Sequence, residues 1–85
     1  MKKEFKNFGD FCLLARKQKG MSQKTLAEKL SWGSGQFVSN IERGICSYPL
    51  NKFKLLARTL KIDLRQLTDV YAGDEIRRIE KEVGL

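Results

Sequence analysis

Histidine is absent from this 85-residue chain, proline occurs once (Pro49) and cysteine only twice (Cys12 and Cys46). Without histidine, general-base catalysis by imidazole is excluded. Two cysteines and no imidazole cannot supply the four ligands of a structural zinc site, so no metal is expected. Nor do two cysteines make a disulfide framework, which fits a reducing compartment. No apolar run approaches the roughly 18–20 residues of a transmembrane helix. The opening Met-Lys-Lys-Glu-Phe-Lys lacks the apolar stretch of a signal peptide. The expectation is a protein kept in the cytoplasm, with no membrane partner. The chain also lacks a Gly-Lys-Ser/Thr phosphate loop, and its carboxylates are scattered over caps and surfaces. No enzyme activity and no cofactor are expected.

Acidic residues are in deficit. Lys and Arg number 17 against 10 Asp and Glu, giving a net charge of +7. Such a field favours polyanions, nucleic acid first and an anionic membrane surface second, although a basic protein with no such partner would look the same. The composition, 41% hydrophobic and 32% charged, is that of a globular chain and not of a disordered one. At this length the core is modest, and partner subunits often add stability.

With one proline, almost the whole chain is free to be helical, and no segment alternates with the period of a strand. The spacing predicts a first helix over 8–19, closed by Gly20. Ser22 caps a second over 23–30, with Leu26, Ala27 and Leu30 inward. After a turn at 31–33, Ser34 caps a third over 35–43, with Val38 and Ile41 inward and Gly44 ending it. Pro49 suits the first turn of a fourth helix reaching about Lys61. Asp63 caps a fifth, which Asp74 restarts or extends toward Ile76, Ile79 and Val83. The fold class is therefore all-α, in one domain over 1–85, with a core of 8–67 and a helical tail of 68–85.

The stretch Met21-Ser-Gln-Lys-Thr-Leu-Ala-Glu-Lys-Leu30, the run Phe37-Val-Ser-Asn-Ile-Glu-Arg-Gly44, and the later Leu56-Ala57, Leu60, Leu64 and Leu67 pattern resemble the helix-turn-helix of the phage-repressor/Cro-type (XRE-like) transcription regulators of bacteria and phages. The resemblance covers about Phe8 to Leu67. It implies a compact five-helix, lambda-repressor-like DNA-binding domain, here with a short C-terminal helical extension. It also implies double-stranded DNA as the partner, bound with helix 35–43 in the major groove.

The residues of that third helix fit the task. Its outward face offers Gly35, Gln36, Ser39, Asn40 and Arg43, small or planar polar groups. Glutamine and asparagine can pair with adenine, and arginine with guanine. Base contacts are expected from Gln36, Asn40, Ser39 and Gly35, the last by close backbone approach. Phe37 either meets a thymine methyl or packs between helices. Backbone contacts are expected from Gln23, Ser22, Lys24, Ser34, Arg43, Asn51 and Lys52, near helix N-termini whose free amides suit phosphate. By resemblance, Gln23 also steadies a recognition-helix side chain, and Arg16 pairs with Glu42 as a structural ion pair.

Two features depart from the family pattern. Ala27 to Val38 is eleven steps, one more than usual, and Ser31 stands where the turn glycine is expected. Gly33 is expected to absorb the extra residue through a positive φ, with Trp32 folding over the core edge. Phe11 and Leu14 lie off the face the core needs, and the tail adds further apolar residues. Leu67, Val70, Tyr71, Ile76, Ile79 and Val83 are expected either to pack the tail on the first helix or to form a homodimer. The expected regulator acts as a dimer on a pseudo-palindromic operator, and a chain too short for a separate effector domain is expected to be controlled through its own concentration or a protein partner. The alternative is a protein-interaction module, such as an antitoxin or co-regulator, whose main partner is another protein. Cys12 reads as a core residue, and Cys46 as a loop residue with no mark of activation.

Overall fold

The structure is a computed structural model that describes residues 5–32 and 34–85. Five α-helices run α1 (Phe8–Gln18), α2 (Gln23–Lys29), α3 (Gly35–Glu42), α4 (Phe53–Leu60) and α5 (Leu64–Val83), with a single 3-10 turn, Leu50–Lys52, before α4. No strand occurs among the described residues. The all-α, five-helix architecture read from the sequence is the one observed.

Caps explain most boundaries. Asn7 starts α1 by accepting from the Asp10 backbone N–H at 2.9 Å, and Asp10 itself complements the helix dipole. Ser22 accepts from the Thr25 N–H at 3.0 Å to start α2. Asp63 accepts from the Gln66 N–H at 3.2 Å to start α5. Gly20 and Gly44, at φ +69° and +76°, close α1 and α3 in the left-handed region.

Two expectations need correction, and of the two alternatives for Asp74 the structure takes extension over restart. Ser34 takes the N-cap position of α3, but its side chain makes no capping bond. The fourth helix does not run from Pro49. That proline precedes the 3-10 turn, held by Lys52 N–H to Pro49 C=O at 3.0 Å and by the Tyr48 hydroxyl donating to the Lys52 carbonyl at 3.2 Å, and α-geometry begins only at Phe53. Asp74 starts no new helix. Its carboxylate accepts from the Phe8 N–H at 3.1 Å, so it helps to cap α1 while α5 runs through unbroken.

The core joins Phe8, Cys12 and Ala15 of α1 to Leu26, Ala27 and Leu30, to Val38 and Ile41, and to Phe53, Leu56, Ala57 and Leu60 of α4. Phe11, expected off the core face, is buried, and Phe5 lies edge-on to it at 4.9 Å. Leu14 is half-buried. Leu67 is fully buried. It anchors α5 in its own domain, so it is not part of a surface for a second subunit. Val70 and Tyr71 are half-buried against the same core, Tyr71 meeting Phe8 and Phe53 edge-on at 4.9 and 5.2 Å. Beyond them, Ile76, Ile79 and Val83 are exposed, as are Leu50 and Leu64.

Candidate nucleic-acid interface

The unit built from α2, the following turn and α3 depends on close backbone approach. Ala27 on α2 is fully buried, where a small side chain suits closely packed helices. Gly35 serves the crossing of α2 and α3. A Cβ on it would lie 3.1 Å from the Lys24 nitrogen and 3.3 Å from Gln23. The sequence expects this glycine to allow close backbone approach to DNA; within the protein it allows close approach of α2.

The turn carries a positive φ at Ser31, +63°. The expectation for Gly33 lies outside the described residues. The Trp32 N–H donates to the Ala27 carbonyl at 2.9 Å and the Ser34 N–H to the Trp32 carbonyl at 2.9 Å. The Trp32 ring stands edge-on to Phe37 at 4.1 Å and tilted on Tyr48 at 5.0 Å. Phe37 is thus half-buried in a packed aromatic group. Tyr48 continues this group to Phe53 at 5.7 Å, linking the turn to the start of α4, where Asn51 is exposed and Lys52 half-buried.

The far end of α3 is tied down by charge. Arg16 donates from Nε to Glu42 Oε2 at 2.6 Å and from Nη2 to Oε1 at 3.1 Å, a two-pronged pair, and its Nη1 donates to the Met21 carbonyl at 2.8 Å. Gln23 Nε2 adds a third bond to Glu42, at 2.9 Å. The two ionised side chains are only 8% and 4% exposed, where such a pair must be fully hydrogen-bonded to be tolerated. The Glu42 carboxylate therefore joins α1, the start of α2 and the end of α3, while Arg16 also ties in the loop after α1. Gln23, expected at the DNA backbone, has its amide nitrogen committed here. Gly9 belongs to the same arrangement and was missed. A Cβ on it would lie 2.5 Å from the Glu42 carbonyl oxygen and 2.6 Å from that of Ile41, so α1 rests directly on the last turn of α3. A glycine in the first turn of a helix that needs none is the signal that could have found it.

On the exposed side, Gln36, Asn40 and Arg43 form one array. Gln36 Nε2 and Arg43 Nη2 both donate to Asn40 Oδ1, each at 3.0 Å. Gln36 and Arg43 are exposed, Asn40 and Ser39 half-buried. Ser22 and Lys24 stand exposed at the start of α2, where Ser22 Oγ also donates to Thr25 Oγ1 at 3.0 Å. The array consists of hydrogen-bonding groups with planar geometry on a helix whose other face and both ends are fixed, which suits reading the edges of bases.

Among the described residues, no group of three or more potential metal ligands comes together, and no helix is long and apolar enough to cross a membrane. Comparison with curated proteins and with solved structures gives no significant match to the chain. A sequence model of the helix-turn-helix family matches residues 14–67, more than half of the chain and all of the unit described above. The chain belongs to the Cro/C1-type helix-turn-helix family.

Proposed function

We propose that the protein is a transcription regulator that binds a pseudo-palindromic site on double-stranded DNA as a homodimer, with α3 in the major groove. One observation carries the reading: Gln36, Asn40 and Arg43 form a hydrogen-bonded array on the outer face of a helix locked from behind by Arg16 and Glu42. Gln36, Asn40 and Ser39 read bases. Ser22, Gln23, Lys24, Ser34, Asn51 and Lys52 hold the backbone, through side chains or through free amides at the start of α2. Arg43 reaches toward either. The net charge of +7 on each chain strengthens all these contacts at low salt. No cofactor or metal takes part, and the protein works in the cytoplasm, at the nucleoid.

The dimer forms through α5. Its exposed Ile76, Ile79 and Val83 continue a stripe that begins at Leu64, with Leu50 beside it. This stripe also supports a second reading, in which a toxin or another regulator docks there and DNA is secondary. Selection from random duplex DNA, at low and at physiological salt, separates the two. An inverted repeat recovered at physiological salt, and lost on Gln36→Ala with Asn40→Ala, supports the dimeric regulator. Binding without any motif, lost at physiological salt, overturns it in favour of the docking module.

A further inference from the structure

Asn40 offers a base two kinds of group, a carbonyl oxygen that accepts and an amide nitrogen that donates. Its bidentate pairing with adenine needs both, the oxygen taking the N6 hydrogen and the nitrogen donating to N7. Here the oxygen is occupied. It receives Arg43 Nη2 and Gln36 Nε2, each at 3.0 Å, and a carbonyl oxygen has two lone pairs. The orientation follows from chemistry: a guanidinium can only donate, so the Asn40 atom facing Arg43 must be the oxygen. Among the described residues, the Asn40 amide hydrogens have no protein partner. The residue therefore shows DNA a donor and no acceptor. Guanine, with N7 and O6 both accepting, matches a donor. Adenine offers the amide one acceptor, N7, and sets its own N6 donor where guanine has a second acceptor.

We propose that Arg43 and Gln36 orient the Asn40 amide so that α3 selects guanine, not adenine, where Asn40 meets the DNA. Arg43 is then a positioning residue for sequence choice and not only a charge beside the backbone. The inference rests on α3 being the base-reading helix.

The experiment is selection from random duplex DNA with the full chain and three variants, Asn40→Ala, Arg43→Ala and Arg43→Lys, each checked for folding by thermal melting. Asn40→Ala identifies the base pair that Asn40 reads, as the position whose preference disappears. Guanine is expected there for the unaltered chain. Arg43→Ala frees one of the two lone pairs of the oxygen, the other staying with Gln36, and the preference for guanine over adenine should fall about tenfold. Arg43→Lys keeps a donor-only side chain and should retain it. Three results overturn the inference while leaving DNA binding by α3 intact. One is adenine at that position in the unaltered chain. Another is a uniform loss of affinity in Arg43→Ala with the preference unchanged. The third is an Asn40→Ala variant that loses preference nowhere. If the unaltered chain selects no motif, the reading of α3 falls, and this inference with it.

Discussion

Two residues sit in environments that oppose their own chemistry. Ser31 holds a φ of +63°, a region that costs an ordinary residue roughly 1–2 kcal/mol. Its side chain is exposed and its N–H already donates to the Glu28 carbonyl at 3.1 Å, so little is lost when the side chain is removed. Glycine costs about 0.5–1 kcal/mol through the unfolded chain. Ser31→Gly should still stabilise by about 0.5–1 kcal/mol and raise Tm by roughly 2–8 °C. A lower Tm would mean that the bend is not strained. Cys12 is the second case. Burial, and then the nearby Glu42 carboxylate, push its thiol from 9.0 up to about 12. The folded chain thus holds this proton more tightly than the unfolded one. The corresponding stability is complete below pH 9 and is lost as the pH climbs from 9 toward 12, by about 1.4 kcal/mol per unit. Burial pushes the Tyr48 hydroxyl in the same direction. Melting curves from pH 8 to 10 should show falling stability above pH 9, and Cys12→Ala should flatten the slope whatever it costs in packing. An unchanged slope would exclude the thiol as its source.

At the scale of elements, the position of α3 is set by three kinds of contact: the α2 crossing at Gly35, the rest of α1 on it at Gly9, and the Arg16–Glu42–Gln23 bonds. The last can be tested alone. Arg16→Met or Glu42→Met should each cost about 3–5 kcal/mol, because each leaves a buried charge without its partner. The double variant should cost far less than the sum. Additive losses in urea unfolding would show that the pair is not coupled. Much of this frame was legible in the sequence. The Ser22 and Asp63 caps, glycines closing helices and the inward Leu, Ala and Val periods are local signals, and α1, α2, α3 and α5 follow them. What the sequence left hidden depends on other elements. Phe11 looked surplus because the part of the core it fills is supplied from elsewhere in the chain. Leu67 could be read either as the end of the core or as part of a packing or dimer surface, because nothing local shows that α5 enters the core for two turns before leaving it. Gly9 and Gly35 carry no local mark of the helix each lies against. The Gln36–Asn40–Arg43 face could be read as a set of residues, but the hydrogen bonds that orient Asn40 appear only once the helix is built.

For the whole molecule, α5 is the open question that the other four helices do not answer. Its 20 residues span about 30 Å, yet Leu67 is its one buried residue. The last turns are supported by ion pairs of 2.9 Å (Arg77–Asp74) and 2.7 Å (Arg78–Glu75), which are solvent-screened and add little. Ile76, Ile79 and Val83 recur along them at helical spacing, all at least half exposed. An apolar stripe so weakly supported within its own chain calls for a partner. A second copy satisfies it symmetrically, since a two-fold axis sets each stripe against its equivalent. Such a dimer carries two recognition helices, to be received by successive major grooves roughly 34 Å apart. Ile76→Asp with Ile79→Asp places charge in that contact without touching the core. The variant should melt as the unaltered chain does when both are monomeric, sediment as a monomer, and bind an isolated half-site as the unaltered monomer does. On the full inverted repeat its affinity should fall, and the dependence of log affinity on log salt should become about half as steep, because half the phosphate contacts are gone. Leu67→Ala is the contrasting change, costing about 2–5 kcal/mol of folding stability with no direct effect on assembly. If the unaltered chain sediments as a monomer at tens of micromolar, both with and without its DNA, α5 is not a dimer contact and its stripe belongs to another protein.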